Sequence, residues 1–183
     1  MIRLLMSGLL LAAAPVADAP PVDPVLRTLM EGDAAQAQGD PDTLIDMAQL
    51  LDTLGAKPAE GQEDLAALWT REASDHGANG SPLAYRGRAL GPAYRRGSLN
   101  AGGTVTMRQL FFAGQRAQIS VAPSGPTAKL SVRVRNADGG TLCAKPVGGP
   151  QADCAWMPIF TDRFDIVIAN SGAEPAAFYL VVR

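Results

Sequence analysis

The chain holds two cysteines, Cys143 and Cys154, and they bracket the run Lys145-Pro146-Val147-Gly148-Gly149-Pro150. The residues on either side read as strands. The stretch from Thr141 to Phe164 therefore predicts two strands tied by a disulfide, with a Pro/Gly loop at the tip. Two cysteines in an oxidising compartment are most simply a pair. Trp156 follows Cys154 by two residues, which places it on the same strand face and predicts packing on the bond.

The first residues point to such a compartment. Met1 to Ala19 reads as a secretory signal peptide. Arg3 supplies the charged start, Leu4 to Ala14 an apolar run too short to span a bilayer, and Ala17-Asp18-Ala19 the small-x-small cleavage pattern. Cleavage after Ala19 is expected, with a periplasmic or secreted product.

The formal net charge of −2 conceals an asymmetry. Pro20 to Pro82 carries 3 basic and 12 acidic residues, a net of −9. Leu83 to Arg183 carries 12 and 5, a net of +7. A shift of this size marks a boundary, and the two halves are expected to attract. Nucleic acid is not expected as a partner of an exported chain with an acidic overall balance.

The acidic half, residues 20–80, reads as helices. Asp23-Pro24 and Asp40-Pro41 each pair an N-cap with a proline at the first helical position, where its missing N–H costs nothing. Leu44, Met47, Ala48, Leu51 and Leu54 then fall at helical spacing before Gly55. Leu65, Leu68, Trp69 and Ala73 repeat the pattern before Gly77. Val25, Leu26, Leu29 and Met30 form the buried side of the first helix. Gly39-Asp40-Pro41, Met47 to Leu51, Leu54-Gly55 and the Trp69, Ala73, Gly77 spacing together resemble one Sel1-like repeat, a helical hairpin of the tetratricopeptide type. That resemblance implies a scaffold rather than an enzyme. No second clear copy follows, so a lone repeat must dock on another part of the chain.

Residues 81–103 are of a different character: Tyr85-Arg86-Gly87-Arg88, then Tyr94-Arg95-Arg96-Gly97. Tyr85, Arg86, Arg88, Tyr94, Arg95 and Arg96 are candidate binding residues, because guanidinium forks match carboxylate and phosphate geometry and stack on aromatic rings. The same composition equally suits a connecting segment laid along the acidic helices, with the two tyrosines as packing anchors.

From residue 104 the pattern changes to strands. Ala117, Ile119 and Val121 alternate, as do Leu130, Val132 and Val134, then Phe164, Ile166 and Ile168, then Phe178, Leu180 and Val182. With Thr104 to Phe112 and the two cysteine strands, seven short strands are expected, which suggests an antiparallel sandwich. Phe112-Ala113-Gly114-Gln115-Arg116-Ala117, the strand and turn from Leu130 to Gly140, Phe164-x-Ile166-x-Ile168-x-Asn170 and Phe178-x-Leu180-x-Val182 resemble the bacterial pre-peptidase C-terminal domain. The resemblance implies a jelly-roll-like sandwich of the kind that follows secreted proteases and aids secretion or substrate binding. Here acidic helices precede the sandwich, so that role is not implied for this chain. Lys129-Leu130-Ser131-Val132 also lacks the acids of the metal-binding members, so calcium is not expected. The expected fold class is α+β: a helical hairpin layer followed by an antiparallel jelly-roll-like sandwich.

Catalytic signals are sparse. His76 is the only histidine and stands at a helix end, where the dipole favours its cation. No Gly-x-Ser-x-Gly elbow accompanies it. Paired cysteines leave too few nitrogen and sulfur ligands for zinc. Asp40, Asp42 and Asp46 are explained by capping and the helix dipole. Trp69 and Trp156 are expected in packing rather than as sugar platforms. No catalytic residue, cofactor or metal is expected. The reading is a non-catalytic exported binding module whose partner is an envelope protein or an acidic polymer. The alternative is a small hydrolase with a carboxylate-based site between the halves.

Overall fold

Aspartates open the three helices of the described residues, α1 (Pro24–Gln38), α2 (Pro41–Thr53) and α3 (Leu65–Asp75). Asp23 accepts from the N–H groups of Val25 and Leu26 at 2.9 and 3.2 Å, Asp40 from Thr43 at 3.1 Å, and Asp64 from Ala67 at 3.2 Å. Each satisfies donors that the helix leaves orphaned. Gly39 stops α1 in the left-handed conformation, φ 65°, and its N–H turns back to the carbonyls of Ala35 and Gln36. The structure, a computed structural model, describes residues 22–78, 91–125 and 128–183. The expected signal peptide lies outside them.

Among the described residues nine strands follow or intervene. They are β1 (Lys57–Pro58), β2 (Ala93–Leu99), β3 (Thr104–Phe111), β4 (Ala117–Pro123), β5 (Leu130–Arg135), β6 (Thr141–Val147), β7 (Ala152–Trp156), β8 (Asp162–Asn170) and β9 (Ala176–Val182). One sheet runs β1-β2-β9-β4-β7, the other β3-β8-β5-β6. Every pairing is antiparallel except the short β1·β2 contact. From β2 onward the chain changes sheets at each step except the β5–β6 hairpin, which is jelly-roll order.

The sandwich starts earlier than the alternating pattern suggests. Seven strands are expected from residue 104, but Ala93–Leu99 inside the presumed connector is an eighth, paired along its length with β9. Two arginines and a glycine mask its alternation. Gly97 is required there: a Cβ would come within 2.9 Å of Phe178 Cε1.

The disulfide forms as expected, with Cα atoms 5.9 Å apart. Its strands are not partners in one sheet. β6 edges one sheet and β7 the other, so the bond joins the two layers at the rim of the sandwich.

The molecule has three layers. Between the sheets lie Ile119, Val121, Val132, Val134, Ile166, Ile168, Phe178 and Leu180. On the outer face of the first sheet Tyr94, Ala122, Tyr179 and Val181 share a second core with Leu26, Leu29, Leu51, Leu65 and Trp69 of the helices. β9 is therefore covered on both sides, which explains the unbroken burial of Phe178, Tyr179, Leu180 and Val181. Each such side chain stabilises the seam by roughly 1.5–3 kcal/mol. Apolar burial, not charge alone, holds the acidic and basic halves together. At one end of the sandwich Asn170, 2% exposed, donates to the carbonyls of Leu99, Asn100 and Glu174 and accepts from Gly172.

Candidate functional site

The arginine–tyrosine strip divides. Tyr85, Arg86 and Arg88 lie outside the described residues. Tyr94, Arg95 and Arg96 fall on β2, so alternate residues face opposite ways. Tyr94 is 1% exposed, and its hydroxyl accepts from the Leu65 N–H at 2.9 Å, at the start of α3. Burial pushes its phenol up to about 12. It is a packing anchor. Arg96, on the same side, reaches Asp33 of α1 at 3.4 Å and lies over the Tyr179 ring, 5.9 Å from its centroid. Ser124 donates to the other oxygen of Asp33 at 2.9 Å. Burial, with Asp33 beside it, pushes the Tyr179 phenol far up. These groups border a groove of about 580 Å³, walled by Met30, Ala34, Ala37 and Pro123. Arg95 makes no ion pair with an acid among the described residues.

A second site has no signal in the strip. The exposed large hydrophobic side chains among the described residues are Leu110, Phe112, Leu142, Met157, Ile159 and Phe160. All six gather at one end of the sandwich. β3 ends there, β4, β6 and β8 begin, and β7 delivers the loop Met157–Thr161. That loop is braced by the β3–β4 turn: Gly114 N–H donates to the Pro158 carbonyl at 2.9 Å, and Ala113 N–H to Thr161 Oγ1 at 3.0 Å. Pro158 is buried beneath it, while Ile159 and Phe160 stand 82% and 77% exposed. Under the loop Trp156 meets Phe111 edge-on at 4.8 Å and Phe164 at 5.4 Å. The ring packs against the same core as the disulfide whose face it shares, with these two phenylalanines as its aromatic neighbours. A groove of about 370 Å³ opens beside the loop, between Leu142, Trp156, Met157, Ile159 and Phe160, with Asp138 and Asp162 at its edge. The sequence signal available was Met157-Pro158-Ile159-Phe160 itself, four apolar residues between two strands with no partner face assigned to them.

The remaining candidates have structural places. His76 is exposed at the C-cap of α3, its Nδ1 2.9 Å from the Glu72 carbonyl. Asp40 also accepts from the Thr43 hydroxyl at 2.7 Å, which holds its carboxyl below the usual range. Trp69 is fully buried among the helices. No group of three or more metal-ligating side chains converges among the described residues. No described helix is long and apolar enough to cross a membrane.

No family model matches the chain, and no curated protein does. Solved structures align with about half of it. The mitogen derived from Yersinia pseudotuberculosis covers 50% of this chain and 83% of its own, at 15% identity and a TM-score of 0.43. The pre-peptidase C-terminal domain of a Bacillus anthracis collagenase covers 49% and 87%, at 14% identity and 0.42. A periplasmic inhibitor of g-type lysozyme from Aeromonas hydrophila covers 50% and 86%, at 12% identity and 0.37. The likeness is one of sandwich architecture in the C-terminal half; the three helices are not matched.

Proposed function

We propose that the chain is a non-catalytic interaction module of an oxidising, extracytoplasmic compartment, and that it docks through the loop end of its sandwich. One observation carries the reading: the six exposed large hydrophobic side chains of the described residues lie at that end, four of them, Leu142, Met157, Ile159 and Phe160, around one groove. Scattered surface hydrophobics are ordinary, whereas a gathered patch marks a contact surface. The inter-sheet disulfide supports the compartment.

The hydrolase alternative requires an acid-lined cleft between the halves. The seam there is an apolar core, and the two grooves beside it hold one acid each: Asp33, engaged with Arg96 and Ser124, and the exposed Glu63. Asp138 and Asp162 stand exposed at the loop end, away from the seam between the halves. The strip's Arg96 has its charge answered within the chain, so the loop end is the better docking surface.

The test is site-specific photo-crosslinking in the native compartment. A photoreactive amino acid is placed at Phe160 or, at the opposite end of the sandwich, at Glu174. A discrete adduct from position 160 and none from position 174 is the expected result. Equal labelling from both positions, or none from 160, overturns the reading.

A further inference from the structure

We infer that the loop-end groove takes a segment of a partner protein in which a lysine or arginine stands beside an apolar residue. The inference rests on the docking reading above and names its chemistry. It is opposite in sign to the anion-binding role that the arginine strip suggests.

The groove's walls and its edge impose this choice. Leu142, Met157, Ile159 and Phe160 offer aliphatic and aromatic surface that water now covers. Asp138 and Asp162 sit on the same groove, both exposed, and no lysine or arginine lines it. Neither carboxylate has an ion-pair partner among the described residues. The one side-chain bond to Asp162 comes from the neighbouring Arg163 N–H at 2.7 Å, which leaves its second oxygen open. A lysine or arginine matches both features at once. Its methylene stem lies along the apolar walls and its charged head reaches the carboxylates. The Phe160 ring adds a cation–π surface for the same head. A neighbouring apolar residue of the segment then covers Ile159.

Two further groups at the groove fit a peptide. Trp156 and Asn136 are among its lining residues, and the indole N–H of the one and the side-chain oxygen of the other are buried without a hydrogen-bond partner. Buried polar groups are normally paired. Met157 and Leu142, on the same groove, are 59% and 46% exposed. A seated segment then brings a carbonyl to the donor and an N–H to the acceptor. A sugar ligand finds less here, because the exposed side chains of the patch include neither tryptophan nor tyrosine. An anionic lipid headgroup meets two carboxylates.

The experiment uses random peptides displayed on phage, selected against the intact protein. Recovered sequences are expected to place Lys or Arg next to Phe, Leu, Ile or Met. A synthetic copy of the most frequent one should bind about tenfold more weakly to an Asp138→Asn/Asp162→Asn variant, and less weakly to the Glu pair. Binding should fall with added salt and disappear in Ile159→Ser/Phe160→Ser. These positions are exposed, so unchanged urea midpoints verify that the variants remain folded. Selection of acidic or uncharged sequences, or binding indifferent to the aspartates, overturns the inference. No selection despite a protein adduct at position 160 overturns it while the docking reading stands. No selection together with loop-dependent binding to phosphatidylglycerol vesicles overturns it in favour of lipid. If the adduct is absent as well, both readings fall.

Discussion

Arg183, just past β9, grips Asp23, the residue that caps the first helix. One guanidinium nitrogen pairs with Oδ2, and Nη2 lies 3.3 Å from Oδ1. The same carboxylate, nearly buried, accepts from Val25 and Leu26. The Asp23 N–H donates to Gln151 Oε1 at 2.8 Å, at the entry to β7. Two chain segments 160 positions apart are thus joined at one aspartate.

Asp23→Ala is expected to be costlier than Arg183→Ala. The first removes a helix cap, worth about 0.5–2 kcal/mol, and strands the arginine. The second removes a charged hydrogen bond, worth about 1.5–3 kcal/mol at most for a pair partly open to water. Asp23 then keeps its two backbone donors. Urea unfolding of both variants and the double mutant measures the coupling; strict additivity would show that the pair contributes nothing of its own.

Gly32 of α1 has no room for a side chain, because a Cβ there would overlap the Trp69 ring. Gly32→Ala should destabilise by about 1–3 kcal/mol through overpacking, although alanine is the better helix former. Trp69 fluorescence should shift to the red as its ring is displaced. A variant more stable than the parent would show that the helices give way easily.

The disulfide binds two edge strands of different sheets. Cys143→Ser/Cys154→Ser should lose about 3 kcal/mol in the loop-closure picture. The loss should appear in the sandwich, and native-state hydrogen exchange should place it in β6 and β7. Uniform loss across the helices would argue against a local clamp.

Tyr94 gives the protein an alkaline limit. Burial raises its folded phenol to about 12 from an ordinary 10. Between those values the unfolded chain has released the proton and the folded chain retains it. Stability is therefore complete below pH 10 and falls as pH rises toward 12. Tyr94→Phe should lessen that decline, the share of the buried Tyr179 remaining, while costing stability at neutral pH, since the Leu65 N–H loses its acceptor. Chemical denaturation at pH 8 and pH 11 separates the two effects. An equal decline in both proteins would assign the alkaline loss to other groups.

Much of the fold is legible in local chemistry. Asp23-Pro24 and Asp40-Pro41 mark helix starts because capping is decided within three residues. Leu130 to Arg135 announces a half-buried strand because side chains alternate at every residue. Ser120 and Tyr179 are harder: on β4 and β9 the face turned from the sandwich core is buried too, under helices that a strand pattern does not register. β2 was hidden for a related reason. Tyr94 and Arg96 face the helices, so the strand lacks the apolar-in, polar-out contrast that marks an edge.

By itself the sequence determined the caps at Asp23 and Asp40, most of the strands, the disulfide and the charge division between the halves, all of which depend on neighbours in the chain or on residue type. Tertiary structure alone decided that Cys143 and Cys154 lie in different sheets, that Arg183 reaches Asp23, and that Leu142, Ile159 and Phe160 line one groove. Those relationships arise where distant segments are brought together by burying apolar surface, and a force without direction leaves no local pattern to read.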